Sequence, residues 1–135
     1  MAENTIIFKR KMYERMLRWK SERNGSSALL IQGARRIGKS TLAEEFARNE
    51  YKSYLLIDFA SCPQEVHDLF KDVSDLNFIF FWLQIVYHVQ LYERESVIIL
   101  DEVQKEPLAR QAIKQLVKDH RYDNIETRSE EHTSE

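Results

Sequence analysis

The chain has 135 residues, of which 43% are hydrophobic and 31% charged, a composition typical of one soluble globular domain with enough apolar material for a core. Its formal net charge of -2 excludes a global electrostatic attraction to nucleic acids or anionic membranes, so a partner of either kind would have to bind a local patch. Cys62 is the single cysteine, which excludes an internal disulfide and a cysteine metal cluster and leads us to expect a reducing, cytoplasmic setting.

An amphipathic helix is predicted near the N-terminus. An apolar run over residues 6–8 leads into a basic segment over residues 10–23, in which Met12, Met16 and Trp19 recur at helical spacing. Such a stripe is far more often a packing face than a cofactor site, so we expect these three side chains to face the core. The first 23 residues contain seven Lys or Arg against three Glu, and the basic side chains do not share one helical face.

The next feature is a candidate phosphate-binding loop. Residues 33–40 have the sequence GARRIGKS and fill every fixed position of the pattern GxxxxGK(S/T). A triphosphate is bound by a concave ring of backbone N–H groups, and Gly33 and Gly38 permit the unusual backbone angles that such a loop requires. We expect Lys39 to reach the β and γ phosphate oxygens, the Ser40 hydroxyl to ligate Mg²⁺, and the N-terminus of the following helix to attract the phosphates.

The segments on either side of this loop have the structure that the motif requires. A short apolar strand is predicted over residues 27–32, and four apolar residues behind the loop mark one face of a helix: Leu42, Ala43, Phe46 and Ala47. This context favours a nucleoside triphosphate as the ligand. The loop backbone supplies the contacts, from Gly33, Ala34, Arg35, Arg36, Ile37 and Gly38. The side chains of Arg35 and Arg36 are left out, because variable loop positions often point to solvent.

Strands and helices alternate along the rest of the chain. Strands are predicted over residues 54–59, 97–100 and 122–127, a short helix over residues 63–70, and a longer helix opened by Pro107. This alternation implies parallel pairing, so the predicted fold class is α/β, with a parallel sheet flanked by helices.

Residues 76–92 form the most apolar region of the chain. Polar residues interrupt it before it reaches the roughly 18 apolar residues of a membrane span, so we expect a buried helix and no membrane partner. Asn77, Gln84 and His88 fall on one helical face, which we assign to the surface. The interior is then assigned to Phe80, Phe81, Trp82, Ile85 and Val89.

An acidic pair follows the third predicted strand. Asp101 and Glu102 come directly after four apolar residues, and open α/β sheets place their ligand crevice at strand ends. Asp101 would hold Mg²⁺ alongside Ser40, directly or through water. Glu102 is the candidate base that orients an attacking water.

Three segments, GARRIGKS, VIILDEVQ and ARQAIKQLVKDHRYDNIET, resemble prokaryotic AAA-type ATP-binding proteins, and the likeness runs over residues 8–127. The first two correspond to the Walker A and Walker B motifs. The resemblance implies a P-loop NTPase fold, ATP and Mg²⁺ as ligands, and a nucleotide loop that continues through Thr41. It also implies that Asp101 is the magnesium carboxylate and that Glu102 and Lys39 act in ATP hydrolysis. In that family a C-terminal domain of unknown function usually follows.

The C-terminal residues depart from the family pattern. Family members commonly carry Gly-Ser after the Glu-Thr that matches residues 126–127, on the strand that usually holds the γ-phosphate sensor, whereas this chain has Arg-Ser. Residues 128–135, RSEEHTSE, match the translation of a common sequencing adapter. We therefore expect residues 1–127 to be the N-terminal part of an ATPase domain and residues 128–135 to be a non-native tail. Such a truncated domain is expected to bind ATP weakly with negligible turnover, because it lacks a complete sensor strand and an arginine finger.

Two other functions fit the same residues. One is a switch or binding module in which nucleotide occupancy changes a partner surface and hydrolysis resets it. The other is a nucleic-acid-associated ATPase that binds through the basic residues of the leading helix, Lys9, Arg10, Lys11, Arg15, Arg18, Lys20 and Arg23.

Overall fold

The computed structural model describes residues 2–34 and 36–130. Along these residues the elements follow in the order α1 (Ala2–Arg23), β1 (Leu29–Ala34), α2 (Lys39–Glu50), β2 (Ser53–Asp58), α3 (Gln64–Leu69), α4 (Leu76–Tyr87), β3 (Ser96–Asp101), α5 (Pro107–Asp119) and β4 (Asp123–Glu130). One turn of 3-10 helix over Val103–Lys105 lies between β3 and α5. Each strand and helix that the sequence predicts is present, with its ends shifted along the chain.

The four described strands form one sheet in the order β1-β4-β3-β2, and all neighbouring strands run parallel. β3 lies inside the sheet and all of its residues are buried, which explains why residues 97–100 are all apolar. Parallel strands need crossover connections, and the intervening helices supply them. The α/β fold with a parallel sheet flanked by helices is therefore confirmed.

Helices cover both faces of this sheet. On one face α1 and α2 share an apolar cluster with the strands, and Met12, Met16 and Trp19 of α1 are buried in it, as their spacing predicts. On the other face α3, α4 and α5 bury a second cluster that includes Phe59 and Leu100. With both faces covered, the ends of the strands are the part of the sheet that can receive a ligand.

The interior assigned to α4 is wrong for three of its side chains. Phe81, Trp82 and Ile85 are 57%, 40% and 45% exposed, and the helix buries Phe80 together with Ile79 and Leu83 instead. α4 has only one covered face, which lies over Ile79, Phe80 and Leu83.

The assignment of Gln84 to the surface face of α4 is wrong, because its side chain bonds to backbone groups. Its Nε2 donates to the Phe80 carbonyl at 3.1 Å, and its Oε1 accepts from the Leu91 N–H at 2.7 Å. The amide thus satisfies backbone groups where the helix ends and the chain turns back toward β3. Polarity alone does not separate such a bridging residue from a solvated one.

β4 is longer than the sequence predicts. It continues from Thr127 through Glu130, and Arg128, Ser129 and Glu130 pair in register with Gln32–Ala34 of β1. The proposed non-native tail therefore begins within a strand, while residues 131–135 lie outside the described residues. Its adapter origin stays a prediction.

Replacing Phe46 and Phe81 by Ala tests whether Phe46 of α2 is buried and Phe81 of α4 is exposed. Phe46 of α2 is fully buried, with ring centroids of Tyr13 and Tyr51 at 5.2 and 6.0 Å in edge-to-face contact. We expect Phe46→Ala to lower the free energy of unfolding by about 3–5 kcal/mol, since it leaves a cavity. Phe81→Ala is expected to change it by less than about 0.5 kcal/mol, as for other exposed positions. Urea unfolding of both variants measures this free energy. An equal loss in the two variants would contradict the structure.

Candidate functional site

The carboxyl ends of the strands bring the predicted site residues to one edge of the sheet. β1 leads into the candidate phosphate-binding loop, and Gly33 lies opposite Ser129 of β4 in register. β3 ends at Asp101, which lies opposite Asp58, the last residue of β2. Because all strands are parallel, the loop and the acidic tip meet although they are far apart in sequence.

Gly38 is the residue on which the loop geometry depends. It has φ 90° and ψ 28°, a left-handed conformation that favours glycine, and it is the N-cap of α2. Arg36 is also left-handed, with φ 67°. Gly33 is not in that region, because it still belongs to β1, so the expectation that both glycines supply unusual angles is correct only for Gly38.

The other residues of the predicted nucleotide loop differ in exposure. Ala34, Arg36 and Thr41 are exposed, and Ile37 is half-buried. Arg35 was also assigned to the loop, but it lies outside the described residues.

Lys39 is a buried cation at the start of α2. Its side chain is 4% exposed, and its Nζ donates to the carbonyls of Gly33 and Ala34 at 3.1 and 2.7 Å. These carbonyls hold the ammonium over the loop, where an anion bound to the loop N–H groups would meet it.

Ser40 and Asp101 join the two halves of the site. The Ser40 hydroxyl donates to Asp101 Oδ1 at 2.7 Å, and the Thr127 hydroxyl donates to the same oxygen at 2.6 Å. Asp101 is 5% exposed, and burial raises its pKa above the ordinary value, while the two hydroxyl hydrogen bonds act in the opposite direction. The neighbouring carboxylates of Asp58 and Glu102 raise the pKa further.

Glu102 is held in a defined position beside Asp101. Its backbone is left-handed, with φ 55°, and its N–H donates to Thr127 Oγ1 at 2.9 Å. Its carboxylate accepts from Gln104 Nε2 at 2.7 Å through one oxygen and from Ser129 Oγ at 2.8 Å through the other. A left-handed backbone and two side-chain donors therefore hold this carboxylate in place.

A cleft of about 630 Å³ lies next to these groups, lined by Ser40, Asp58, Phe59, Ala60, His67, Asp101, Glu102 and Lys105. His67 and Lys105 are the residues that sequence reasoning missed. His67 Nδ1 lies 2.7 Å from Glu106 Oε1, which orients the ring, and nothing in the local sequence distinguishes this histidine from a surface one. Asp58 accepts from the Ala60 N–H and the Ser61 hydroxyl, so its carboxylate stabilises the turn after β2.

The oxygen groups of the site fit a hydrated Mg²⁺ rather than an ion enclosed by protein ligands. Among the described residues no group of three His, Cys, Asp or Glu side chains is placed to hold a metal ion. One carboxylate and one hydroxyl, from Asp101 and Ser40, are hard oxygen ligands of the kind that Mg²⁺ takes together with water and phosphate.

The sequence model of the family described as AAA domain matches residues 25–134. This covers most of the chain, and the chain belongs to that family, whose general activity is nucleotide binding of the ATPase type. No curated protein and no solved structure shows a significant match. Within the described part of the chain no helix is long and apolar enough to cross a membrane.

Replacing Asp101 by Asn tests its electrostatic environment. The folded-state pKa of Asp101 is raised, so its ionised form costs folding free energy above that pKa, and the cost disappears as the pH falls. Asn keeps an oxygen that can accept from Ser40 and Thr127. We expect Asp101→Asn to raise the melting temperature at pH 7 without nucleotide, and the difference to shrink near pH 4, around the ordinary Asp pKa.

Thermal unfolding at both pH values measures this effect. Asp68→Asn is the control, because Asp68 is exposed and hydrogen bonds from Gln64 and Lys71 lower the pKa of its carboxyl. That control should not be stabilised at pH 7. A lower melting temperature for Asp101→Asn would contradict the burial argument.

Proposed function

We propose that this chain binds ATP together with Mg²⁺ between the phosphate loop and the acidic tip of β3, and that Glu102 is the residue that activates water for hydrolysis of the terminal phosphate in the ATPase reaction, of which this chain by itself is expected to retain negligible turnover. The observation that carries the proposal is the 2.7 Å hydrogen bond from Ser40 Oγ to Asp101 Oδ1. It joins the last position of the loop motif to the first carboxylate of the acidic pair, the two groups that hold Mg²⁺ in phosphate-loop enzymes.

Each loop residue has a separate part in binding. The backbone N–H groups around Gly38 and the N-terminus of α2 attract the phosphates, and Lys39 neutralises charge on their oxygens. Ser40 and Asp101 would hold Mg²⁺, which supplies charge neutralisation between the phosphates. Burial of Lys39 and Asp101 makes both charges more effective than they would be in water.

Glu102 is the residue proposed for the chemical step. A carboxylate can orient a water molecule and accept its proton as the oxygen attacks phosphorus. Gln104 donates to one of its oxygens and is proposed as a positioning residue for this base, whereas Ser129, which donates to the other oxygen, belongs to the segment predicted to be non-native. The adjacent Asp101 and Glu102 fit water activation better than transfer to a bound hydroxyl, which makes a small-molecule kinase the weaker alternative.

A nucleotide-gated switch uses the same binding site and differs only in its kinetics, with slow release of bound nucleotide. The nucleic-acid alternative has less support, since two of the seven basic residues of α1 have partners inside the domain. Lys20 lies over the Tyr51 ring at 4.9 Å from its centroid, and Arg23 Nε donates to Ser27 Oγ at 3.2 Å. These two basic side chains are therefore engaged within the domain and do not form a free surface for phosphodiesters.

Lys39→Ala tests the binding site. We expect ATP affinity to fall by about a hundredfold, because a hydrogen-bonded charge contributes roughly 1.5–3 kcal/mol. Lys118→Ala is the matched control, since this exposed lysine of α5 lies far along the chain from the loop and loses the same charge. Isothermal titration with Mg-ATP measures both. Equal affinities for Lys39→Ala and the wild-type chain would refute the site.

Glu102→Gln separates binding from chemistry. Gln keeps the shape of the side chain but cannot accept a proton, so Mg-ATP affinity should stay within about threefold while any ATP turnover falls by about 10²-fold or more, the usual contribution of a general base. Phosphate release and titration on the same preparation measure the two quantities. Unchanged turnover in a protein that hydrolyses ATP would assign the base to another residue.

A further inference from the structure

Lys9 of α1 lies against the phosphate loop. A methyl group built on Gly38 would be 2.9 Å from Lys9 Cε and 3.3 Å from its Nζ. The end of this lysine side chain therefore covers the glycine that caps α2, on the backbone that is proposed to cradle the phosphates. Lys9 precedes the segment that matches the AAA domain family, which begins at residue 25.

The position of Lys9 follows from the packing of α1. Lys9 lies one helical turn before Met12 and Tyr13 and two turns before Met16, so it continues the buried stripe. Met12 and Met16 are buried beside α2, and the Tyr13 ring packs on Phe46 at 5.2 Å.

Polar contacts fix the same helix along its length. Tyr13 donates to Glu50 Oε2 at 3.2 Å and accepts from Asn49 Nδ2 at 3.0 Å, while Trp19 Nε1 donates to the Ser27 carbonyl at 3.0 Å. The lysine is therefore presented by a docked helix rather than by a mobile arm.

The charge at this place is unfavourable without an anion. Lys9 lies beside Gly38 at the positive end of the α2 dipole, and a cation at a helix N-terminus is repelled by that dipole. Within residues 2–34 and 36–130, Lys9 makes no ion pair with a carboxylate, although Glu14 and Glu45 line the same surface groove. A polyphosphate on the loop would relieve this repulsion.

We infer that Lys9 is a second phosphate-binding cation, contributed to the nucleotide site by the helix that precedes the family domain. The inference rests on the proposed function, since it assigns a further residue to the same site. It also links α1 to nucleotide occupancy, because a phosphate bound between Lys9 and Lys39 contacts both helices.

Titration of the full chain with Mg-ATP at constant ionic strength tests the inference. Lys9→Gln should weaken binding about tenfold, as expected for one charge-assisted contact. Lys9→Met, which keeps the aliphatic stem over Gly38, should lose as much, and Lys9→Arg should stay within about threefold, because it keeps the charge. Lys11→Gln is the matched control on the exposed side of α1 and should leave affinity unchanged.

The outcomes separate this inference from the proposed function. If the wild-type chain does not bind Mg-ATP, the nucleotide site itself is refuted. If the wild-type chain binds Mg-ATP and the Lys9→Gln and Lys9→Met variants bind it as tightly as the wild-type chain does, only the role of Lys9 is overturned.

Magnesium tripolyphosphate is the second probe, because it has no base or ribose. An equal loss of affinity for it in Lys9→Gln supports phosphate contact, whereas a loss confined to ATP would overturn it. Melting temperatures without ligand verify that each variant is folded.

Discussion

The hydrogen bond between the Ser40 hydroxyl and the Asp101 carboxylate is the interaction on which the rest of the site depends. It closes a separation of 61 residues, and it exists only because β1 and β3 run parallel and end at the same edge. A buried carboxylate needs donors, and Asp101 takes them from α2 and from Thr127 of β4. The geometry of the site therefore depends directly on the parallel arrangement of the strands.

Several features that lower the stability of the fold lie at this carboxyl edge of the sheet. Lys39 is a buried cation whose ammonium donates to two backbone carbonyls, and burial raises the pKa of Asp101. Arg36 and Glu102 are left-handed non-glycine residues at this edge. The other such residues follow helix ends or lie in turns, where this conformation is common: Asn24, His88, Arg94 and His120. Buried charge and backbone strain at one place are typical of a site where ligand binding offsets their free-energy cost.

The leading helix belongs to this arrangement although the family match begins after it. Its apolar stripe forms part of the core beside α2, so removing it would expose Phe46 and its neighbours. It also carries Lys9 to the loop. A basic helix that could be taken for a nucleic-acid surface is thus partly a packing element, and at its first turns it is a neighbour of the proposed phosphate site.

Much of the site was predictable because its residues lie in short local patterns. The loop motif predicted Lys39 and Ser40 as candidate site residues, and an apolar strand ending in two acids predicted Asp101 and Glu102. The positions of His67 and Lys105 in the cleft were not predictable, since no local pattern marks them and only the packing of α3 and the turn after β3 brings them there. The exposed face of α4 was misassigned for the related reason that a polar residue, Gln84, bonds to backbone groups instead of water.

The sequence by itself determined the order of strands and helices along the chain, their parallel pairing and the loop motif from which phosphate binding is predicted, because periodicity and motif spacing are local properties of the chain. Only the tertiary structure decided which face of α4 is covered, that Ser129 and Gln104 hold Glu102, and that Lys9 lies on Gly38. Those contacts join separate elements, and their geometry follows from how helices pack on the sheet, which spacing along the chain does not encode.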